Sequence, residues 1–109
     1  MANAYKVLAQ SAPSAATATD VYTVPAATET VISTVIIANR AATTGSFRLS
    51  VRPNGGTQTN AMYCAYDVRV AANDSTTLTL GLTVDATDVI TVYCSSADMS
   101  INIFGTEIS

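Results

Sequence analysis

The sequence predicts an all-β protein, in which about eight antiparallel strands pack as a two-sheet, jelly-roll-like β-sandwich with no substantial helix. Short extended runs follow one another along the chain, separated by turn signals such as Pro53-Asn54-Gly55-Gly56 and Asn73-Asp74. Several runs alternate apolar and polar residues, the pattern of a strand with one face in a core. The length of 109 residues suits one core, so we expect a single sandwich domain over residues 1–109.

Eight runs account for the predicted strands, and eight is the strand number of a jelly roll. They cover residues 4–10, 20–24, 28–39, 47–52, 61–70, 77–84, 89–94 and 99–104. The run 20–24 stops at Pro25, which cannot donate to a ladder. The middle of the run 28–39 is apolar at consecutive positions, which indicates a strand covered on both faces. The Ala-rich segment 14–20 follows Pro13 and has no apolar stripe, so it is predicted to be a loop.

Alternation also assigns each side chain to a face of its sheet. The residues predicted to face the core are Phe47, Leu49, Val51, Met62, Cys64, Tyr66, Val68, Val70, Leu78, Leu80, Leu82, Val84, Ile90, Val92, Cys94, Met99, Ile101 and Ile103. The residues predicted to face outward include Arg48, Ser50, Arg52, Tyr63, Asp67, Arg69, Tyr93 and Phe104. Both cysteines therefore fall on core faces, and we expect two buried, reduced thiols. A disulfide stays possible if their strands are neighbours.

The charge pattern argues against several classes of protein. Only 12% of the residues are charged, the net charge is −3, and the five basic residues form no run. Nucleic-acid binding draws its affinity from clustered Lys and Arg, so that reading is weak. No apolar stretch is long enough to span a bilayer. The first residues lack the charged and apolar regions of a secretory signal, so we expect synthesis in the cytoplasm without export.

The residue types needed for common catalytic sites are missing. The sequence contains no histidine, which removes the commonest general base and rules out Ser-His-Asp and Cys-His arrangements within the chain. Asn54-Gly55-Gly56 leads to no lysine and no helix, so it predicts a turn rather than a phosphate loop. Asp74, Asp85, Asp88 and Asp98 fall at or near predicted turns and favour strand-end solubilisers over a Ca²⁺ site. We expect no enzyme, no cofactor and no metal site.

Four residues form the candidate protein interface: Arg48, Arg52, Tyr63 and Tyr93. Arg48 and Arg52 project from one sheet face of an acidic protein, where they could dock an acidic patch on another subunit. The alternative is that Asp67, on the next strand, pairs with one of them. Tyr63 and Tyr93 are candidate anchors because tyrosine buries a large apolar body while keeping its hydroxyl hydrated; the alternative for each is ordinary cross-strand packing. Sheet edges with few guarding charges also suggest assembly with a partner subunit.

Six segments, taken in order, resemble a group of small structural proteins of tailed bacteriophages, including phages of cyanobacteria. They are 21–26 (VYTVPA), 47–53 (FRLSVRP), 65–68 (AYDV), 79–83 (TLGLT), 88–93 (DVITVY) and 104–108 (FGTEI). The resemblance extends from about Tyr5 to Ile108. It implies a virion component, variously a capsid cement (decoration) protein, a neck or tail component, or a fibre-associated domain.

The leading expectation is a capsid cement protein that binds the major capsid protein of the shell, as a homo-oligomer and preferably a homotrimer. A neck, tail or fibre module of the same virion is the second expectation. A glycan-binding module is the alternative from another functional class.

Overall fold

The computed structural model describes residues 2–109, and these form eight strands joined by turns and two short 3-10 segments. The strands are β1 (Asn3–Ser11), β2 (Thr19–Thr23), β3 (Glu29–Asn39), β4 (Gly45–Arg52), β5 (Tyr63–Val70), β6 (Ser75–Val84), β7 (Val89–Cys94) and β8 (Met99–Ile108). The predicted runs match these strands to within a few residues. The largest difference is at β5, where Asn60–Met62 forms a 3-10 turn instead of strand. The predicted loop over residues 14–20 gives way to β2 only at Thr19.

The strands form two antiparallel four-stranded sheets with the order of a jelly roll. The first sheet runs β1-β8-β3-β6 and the second runs β2-β7-β4-β5. Every consecutive pair of strands crosses from one sheet to the other except β4 and β5, which form a hairpin within the second sheet. The predicted fold class, an eight-stranded antiparallel β-sandwich, is confirmed.

The core lies between the sheets and is built from the inward-facing residues of the inner strands, which alternate except at a bulge in β3 between Ile32 and Thr34. Phe47 and Leu49 of β4 face Ile32, Val35 and Ile37 of β3 across the sandwich, and all are at most 1% exposed. From β7 and β8 the core receives Ile90, Val92, Cys94, Met99, Ile101 and Ile103. The predicted inward positions of these strands, Val92 included, are confirmed.

Each of the four edge strands carries a β-bulge. The register of β1 against β8 shifts between Val7 and Ala9, and that of β2 against β7 shifts between Asp20 and Tyr22. Strand β6 carries an extra residue near Gly81 opposite β3, and β5 shifts twice against β4. Bulges twist an edge and interrupt its row of free hydrogen-bonding groups. The bulges therefore hinder pairing of the sheet edges with another chain, although these edges hold few charges.

The prediction that Leu80 faces the core is wrong. Between two pairs, Ile32 with Leu82 and Thr34 with Thr79, β6 uses one more residue than β3. Gly81 has φ +62°, a left-handed conformation that glycine adopts without a steric penalty. Leu78 and Leu82 on either side still pack against the core, so the bulge displaces Leu80 alone, which is 39% exposed.

In β5 the same mechanism overturns two further predicted core positions, Cys64 and Tyr66. Two residues of β5 are inserted relative to β4, one beside Asp67 and one at Cys64. Asp67 has φ +51°, a conformation in which Asp is enriched among non-glycine residues. Tyr66 is 55% exposed and Cys64 is an exposed free thiol, whereas Cys94 is a buried free thiol as predicted. Met62 lies in the 3-10 turn before the strand and is half-buried.

A polar bridge joins the two sheets at one end of the core. The Tyr22 hydroxyl, on β2, donates a 2.6 Å hydrogen bond to the Glu107 carboxylate on β8 and lies 2.9 Å from Thr30 Oγ1 on β3. Lys6 of β1 pairs with the same carboxylate at 2.6 Å. These partners lower the pKa of Glu107, first through Lys6 and then through Tyr22. Burial is the main cause that raises the pKa of Tyr22 to about 12.

Candidate protein-docking site

The four predicted interface residues lie on one surface, the outward face of the second sheet. Phe47 and Leu49 point into the core, so Arg48, Ser50 and Arg52 of β4 point outward. Residues directly opposite in an antiparallel pair share a face. Tyr93 pairs with Arg48 and Tyr63 pairs with Ser50, so both tyrosines join the arginines on this face.

Arg48 is the centre of this surface. Its guanidinium carbon lies 4.2 Å from the ring centroid of Tyr66 and 4.4 Å from that of Tyr93, within the range of cation–π attraction. Its Nε donates to Asp67 at 2.7 Å. Arg48, Tyr63, Tyr66 and Tyr93 are called the Arg48 cluster below. Three strands supply the cluster: β4 the cation, β5 two rings and β7 the third ring. Strand β5 also supplies the Asp67 carboxylate that pairs with Arg48.

The tyrosines also support one another. The rings of Tyr63 and Tyr66 meet edge to face, with centroids 4.9 Å apart and planes at 85°, a favoured geometry for aromatic pairs. Beside Tyr63 is a cavity of about 40 Å³ lined by Ala18, Arg48, Ser50, Gln58, Tyr63, Thr91 and Tyr93. Pockets for small molecules are usually several hundred Å³, so this surface suits contact with a large partner better than enclosure of a ligand.

The predicted pairing of Asp67 with one of the two arginines is present, and the arginine is Arg48. This contact is the first cause that lowers the pKa of Asp67 and raises the pKa of Arg48. Both groups therefore stay charged throughout the neutral range. The ion pair fixes the guanidinium between the rings and leaves one side of Tyr66 facing solvent.

Arg52 shares the face but has a different environment. Its guanidinium donates to the Asp20 carboxylate at 2.9 Å and to Thr91 Oγ1 at 3.1 Å. It also donates to the backbone carbonyls of Gly55 and Gly56. Its side chain is 17% exposed. Arg52 thus joins β2, β7 and the turn after β4, and it stabilises the surface next to the Arg48 cluster.

Tyr66 is the member of the cluster that the sequence prediction missed. Strict alternation from Val68 and Val70 placed Tyr66 inward, but the bulge at Asp67 reverses its direction. Asp tolerates the positive φ that the bulge requires, but Asp67 shares the polar face of the run with Arg69, so the alternation gave no separate signal of the bulge.

Other kinds of site have little support from the side chains of residues 2–109. In that range there is no group of three or more His, Cys, Asp or Glu residues able to hold a metal ion. Every buried side-chain nitrogen and oxygen there has a hydrogen-bond partner. No helix in that range is long and apolar enough to cross a membrane.

Comparison of the chain with protein-family models finds no match. Comparison with curated proteins finds no significant match either.

Proposed function

We propose that this protein is a structural component of a tailed-bacteriophage virion, and specifically a cement protein that binds the major capsid protein shell through the Arg48 cluster. The phage assignment rests on the resemblance of its ordered sequence segments. The observation that best supports this docking surface is the exposed Tyr66 ring. The Arg48 guanidinium lies against this ring and against the Tyr93 ring.

The composition of the cluster is that of an interface centre. Tyr and Arg are enriched among the few residues that supply most of the binding energy of protein interfaces. Three tyrosines and one arginine meet here on a chain with only five tyrosines and five basic residues. Such a concentration on one outward sheet face favours a macromolecular partner.

The cluster is also ordered before any partner arrives. Arg48 contacts Tyr66, Tyr93 and Asp67 at once, and Tyr63 supports Tyr66 from the side. Side chains that are already fixed lose less conformational entropy on binding. A cement protein is needed in many copies with modest individual contacts, and each copy that binds only the assembled shell stabilises it by mass action.

The bulged edges favour docking by a face over docking by an edge. Interrupted, twisted edges are poor templates for strand addition from a partner. The sequence expectation of partner-covered edges is therefore replaced by one in which a sheet face makes the contact.

A neck, tail or fibre module remains the second candidate within the virion, since it would present the same kind of face. A glycan-binding module is supported only by the exposed Tyr66 ring, on which a sugar could stack. The cavity of about 40 Å³ between Tyr63 and Tyr93 does not include Tyr66 and offers little enclosure for a sugar.

The binding test compares two substitutions of Tyr66 on shells assembled from the cognate major capsid protein. Tyr66→Ser removes the exposed ring, whereas Tyr66→Phe keeps it, so the phenylalanine variant is the matched control. We expect Tyr66→Ser to weaken shell binding by about tenfold or more and Tyr66→Phe to bind almost normally, with both melting like the parent protein. Equal binding by all three proteins would exclude the cluster as the docking site. Capture of the parent protein on a glycan array would favour the glycan-binding module instead.

A further inference from the structure

The outward face of the first sheet differs from the Arg48 side of the molecule because its middle carries no charge. Ile32, Val35 and Ile37 point into the core, so Thr34 and Ile36 of β3 point outward. The central row across the sheet is Val7, Phe104, Thr34 and Thr79. Within the described part of the chain, the neighbouring rows likewise consist of uncharged residues. This surface is called the first-sheet face.

Among residues 2–109, charge on this face lies only at its two ends: Glu29 and Asp85 make one end acidic, whereas Arg40 offsets Asp74 at the other. Glu29 is the first residue of β3 and is exposed, whereas Arg40 follows the last residue of the same strand. The Arg40 guanidinium donates to Ser100 Oγ, on the outward side of β8, at 2.9 Å. Asp85 and Asp74 lie in the turns beyond the two ends.

Exposed apolar side chains are concentrated on the strands of this sheet. Of the large hydrophobic side chains that are exposed among residues 2–109, Tyr5 (80%) and Val7 (47%) lie on β1 and Leu80 lies on β6. The fourth is Tyr66 of the Arg48 cluster. The first-sheet face therefore has exposed apolar side chains on its two edge strands and an uncharged middle that includes Phe104 and Ile36.

We propose that the first-sheet face packs against the same face of a second copy of this chain, with the strands of the two copies antiparallel. A twofold pairing brings each patch against itself. An acidic chain of net charge −3 can do this without repulsion only where the patch is uncharged. In the antiparallel arrangement, Glu29 of each copy meets Arg40 of the other, whereas the parallel arrangement would bring like charges together.

The area of the face is sufficient for a stable dimer. Ten residues per strand at about 3.3 Å and four strands at about 4.8 Å give a face of roughly 600 Å² per copy. The pair then buries on the order of 1,200 Å², the lower end of specific interfaces. Aligned packing of two sheets is also the geometry by which sandwiches form their own cores.

The dimer gives two Arg48 clusters that face away from one another, one on each outer side. Such a particle is bivalent and could bridge two subunits. The dimer itself does not depend on the proposed function, and a face-to-face pair is an alternative to the trimer expected from the sequence.

The first test measures molar mass in solution by light scattering over a dilution series. We expect twice the 11.3 kDa of one chain. Thr77→Lys with Thr79→Lys places two charges on exposed positions of the face and should raise the dimer dissociation constant by about tenfold or more. Thr57→Lys with Thr59→Lys adds the same charge on an exposed loop and should leave the dimer intact. Tyr5→Ser, which adds no charge, should weaken it severalfold, and circular dichroism checks that each variant is folded.

The second test determines the direction of the strands. Glu29→Lys and Arg40→Glu should each weaken the dimer, and the double exchange should restore it. A monomeric or trimeric parent protein would overturn the proposal. Equal dimer dissociation constants for the two double-lysine variants would also overturn it. A double exchange no better than the single variants would contradict the antiparallel arrangement. Loss of dimerisation with normal shell binding, or the reverse, separates this proposal from the proposed function.

Discussion

Replacement of Tyr22 by Phe removes one buried hydroxyl from the bridge between the two sheets. That hydroxyl donates to the Glu107 carboxylate at 2.6 Å and lies 2.9 Å from Thr30 Oγ1. Thr30 is 1% exposed, so water cannot replace the lost partner without rearrangement. A hydrogen bond to a charged group contributes about 1.5–3 kcal/mol, and an unsatisfied buried partner costs a similar amount. We expect Tyr22→Phe to lower the free energy of unfolding by about 2–4 kcal/mol near pH 7.

The cost of this substitution should depend on pH in both directions. Lys6 and Tyr22 lower the pKa of Glu107 in the folded state. The stability from this carboxylate is therefore present above its unfolded pKa of about 4.3 and is lost as the pH falls through the folded value. The pKa of Tyr22 is raised to about 12, so stability declines as the pH rises above the unfolded pKa of about 10. The difference between the two proteins should be largest between these limits.

Urea denaturation followed by circular dichroism, repeated from acidic to alkaline pH, measures this difference. Tyr5→Phe is the matched control, because the Tyr5 ring is 80% exposed and its hydroxyl should contribute less than about 0.5 kcal/mol. A Tyr22→Phe cost below about 0.5 kcal/mol at pH 7, or one that does not change with pH, would refute the role assigned to the bridge.

Three other predictions follow from the packing. Leu80→Ala should cost less than about 1 kcal/mol because Leu80 is 39% exposed, whereas Leu49→Ala in the core should cost about 2–5 kcal/mol; similar costs in denaturant titrations would mean that the bulge in β6 is misplaced. A thiol reagent should modify Cys64 in the native protein and Cys94 only after denaturation, and native protein carrying two labels by mass spectrometry would contradict that burial. Gly105→Ala should prevent stable folding, because the new Cβ would overlap a backbone oxygen of β3; a cooperative melt near the parent temperature would show that the strands can separate there.

The alternation of apolar and polar residues assigned side chains to the correct face of the sheet where the strands are regular. In β4, β7 and β8 it placed Phe47, Val92 and Ile103 inward, and all three are at most 1% exposed. These strands lie inside the sheets, where burial on one face fixes the register and a slip would move every side chain to the wrong side.

The same alternation assigned some side chains of the edge strands to the wrong face. The inserted residues do not follow the alternation, and this is why the inward assignments of Leu80, Cys64 and Tyr66 failed although Leu78 and Leu82 still pack against the core. The bulges follow from backbone conformations at Gly81 and Asp67. Gly within a strand is a known sign of a bulge, but its effect on the register depends on how the partner strand pairs, which the sequence of one strand does not contain.

The residues of the candidate site were likewise predicted correctly on regular strands and missed beside a bulge. The outward direction of Arg48 and Tyr93 was predicted correctly because both lie on regular inner strands, where they are paired directly. Tyr66 was missed because it lies beside the bulge. The Asp20 partner of Arg52 comes from β2, and its position depends on the β2–β7 pairing across the sheet. Such long-range pairing follows from topology rather than from any local pattern.

The copy number of this chain in purified virions tests most directly the proposal that it is a cement protein of a phage shell. Quantitative mass spectrometry with isotope-labelled peptides gives the ratio of this chain to the major capsid protein. A cement protein should be present in hundreds of copies per particle. A few to dozens of copies would assign it to the neck, tail or fibres, and its absence from washed particles would contradict a virion role altogether.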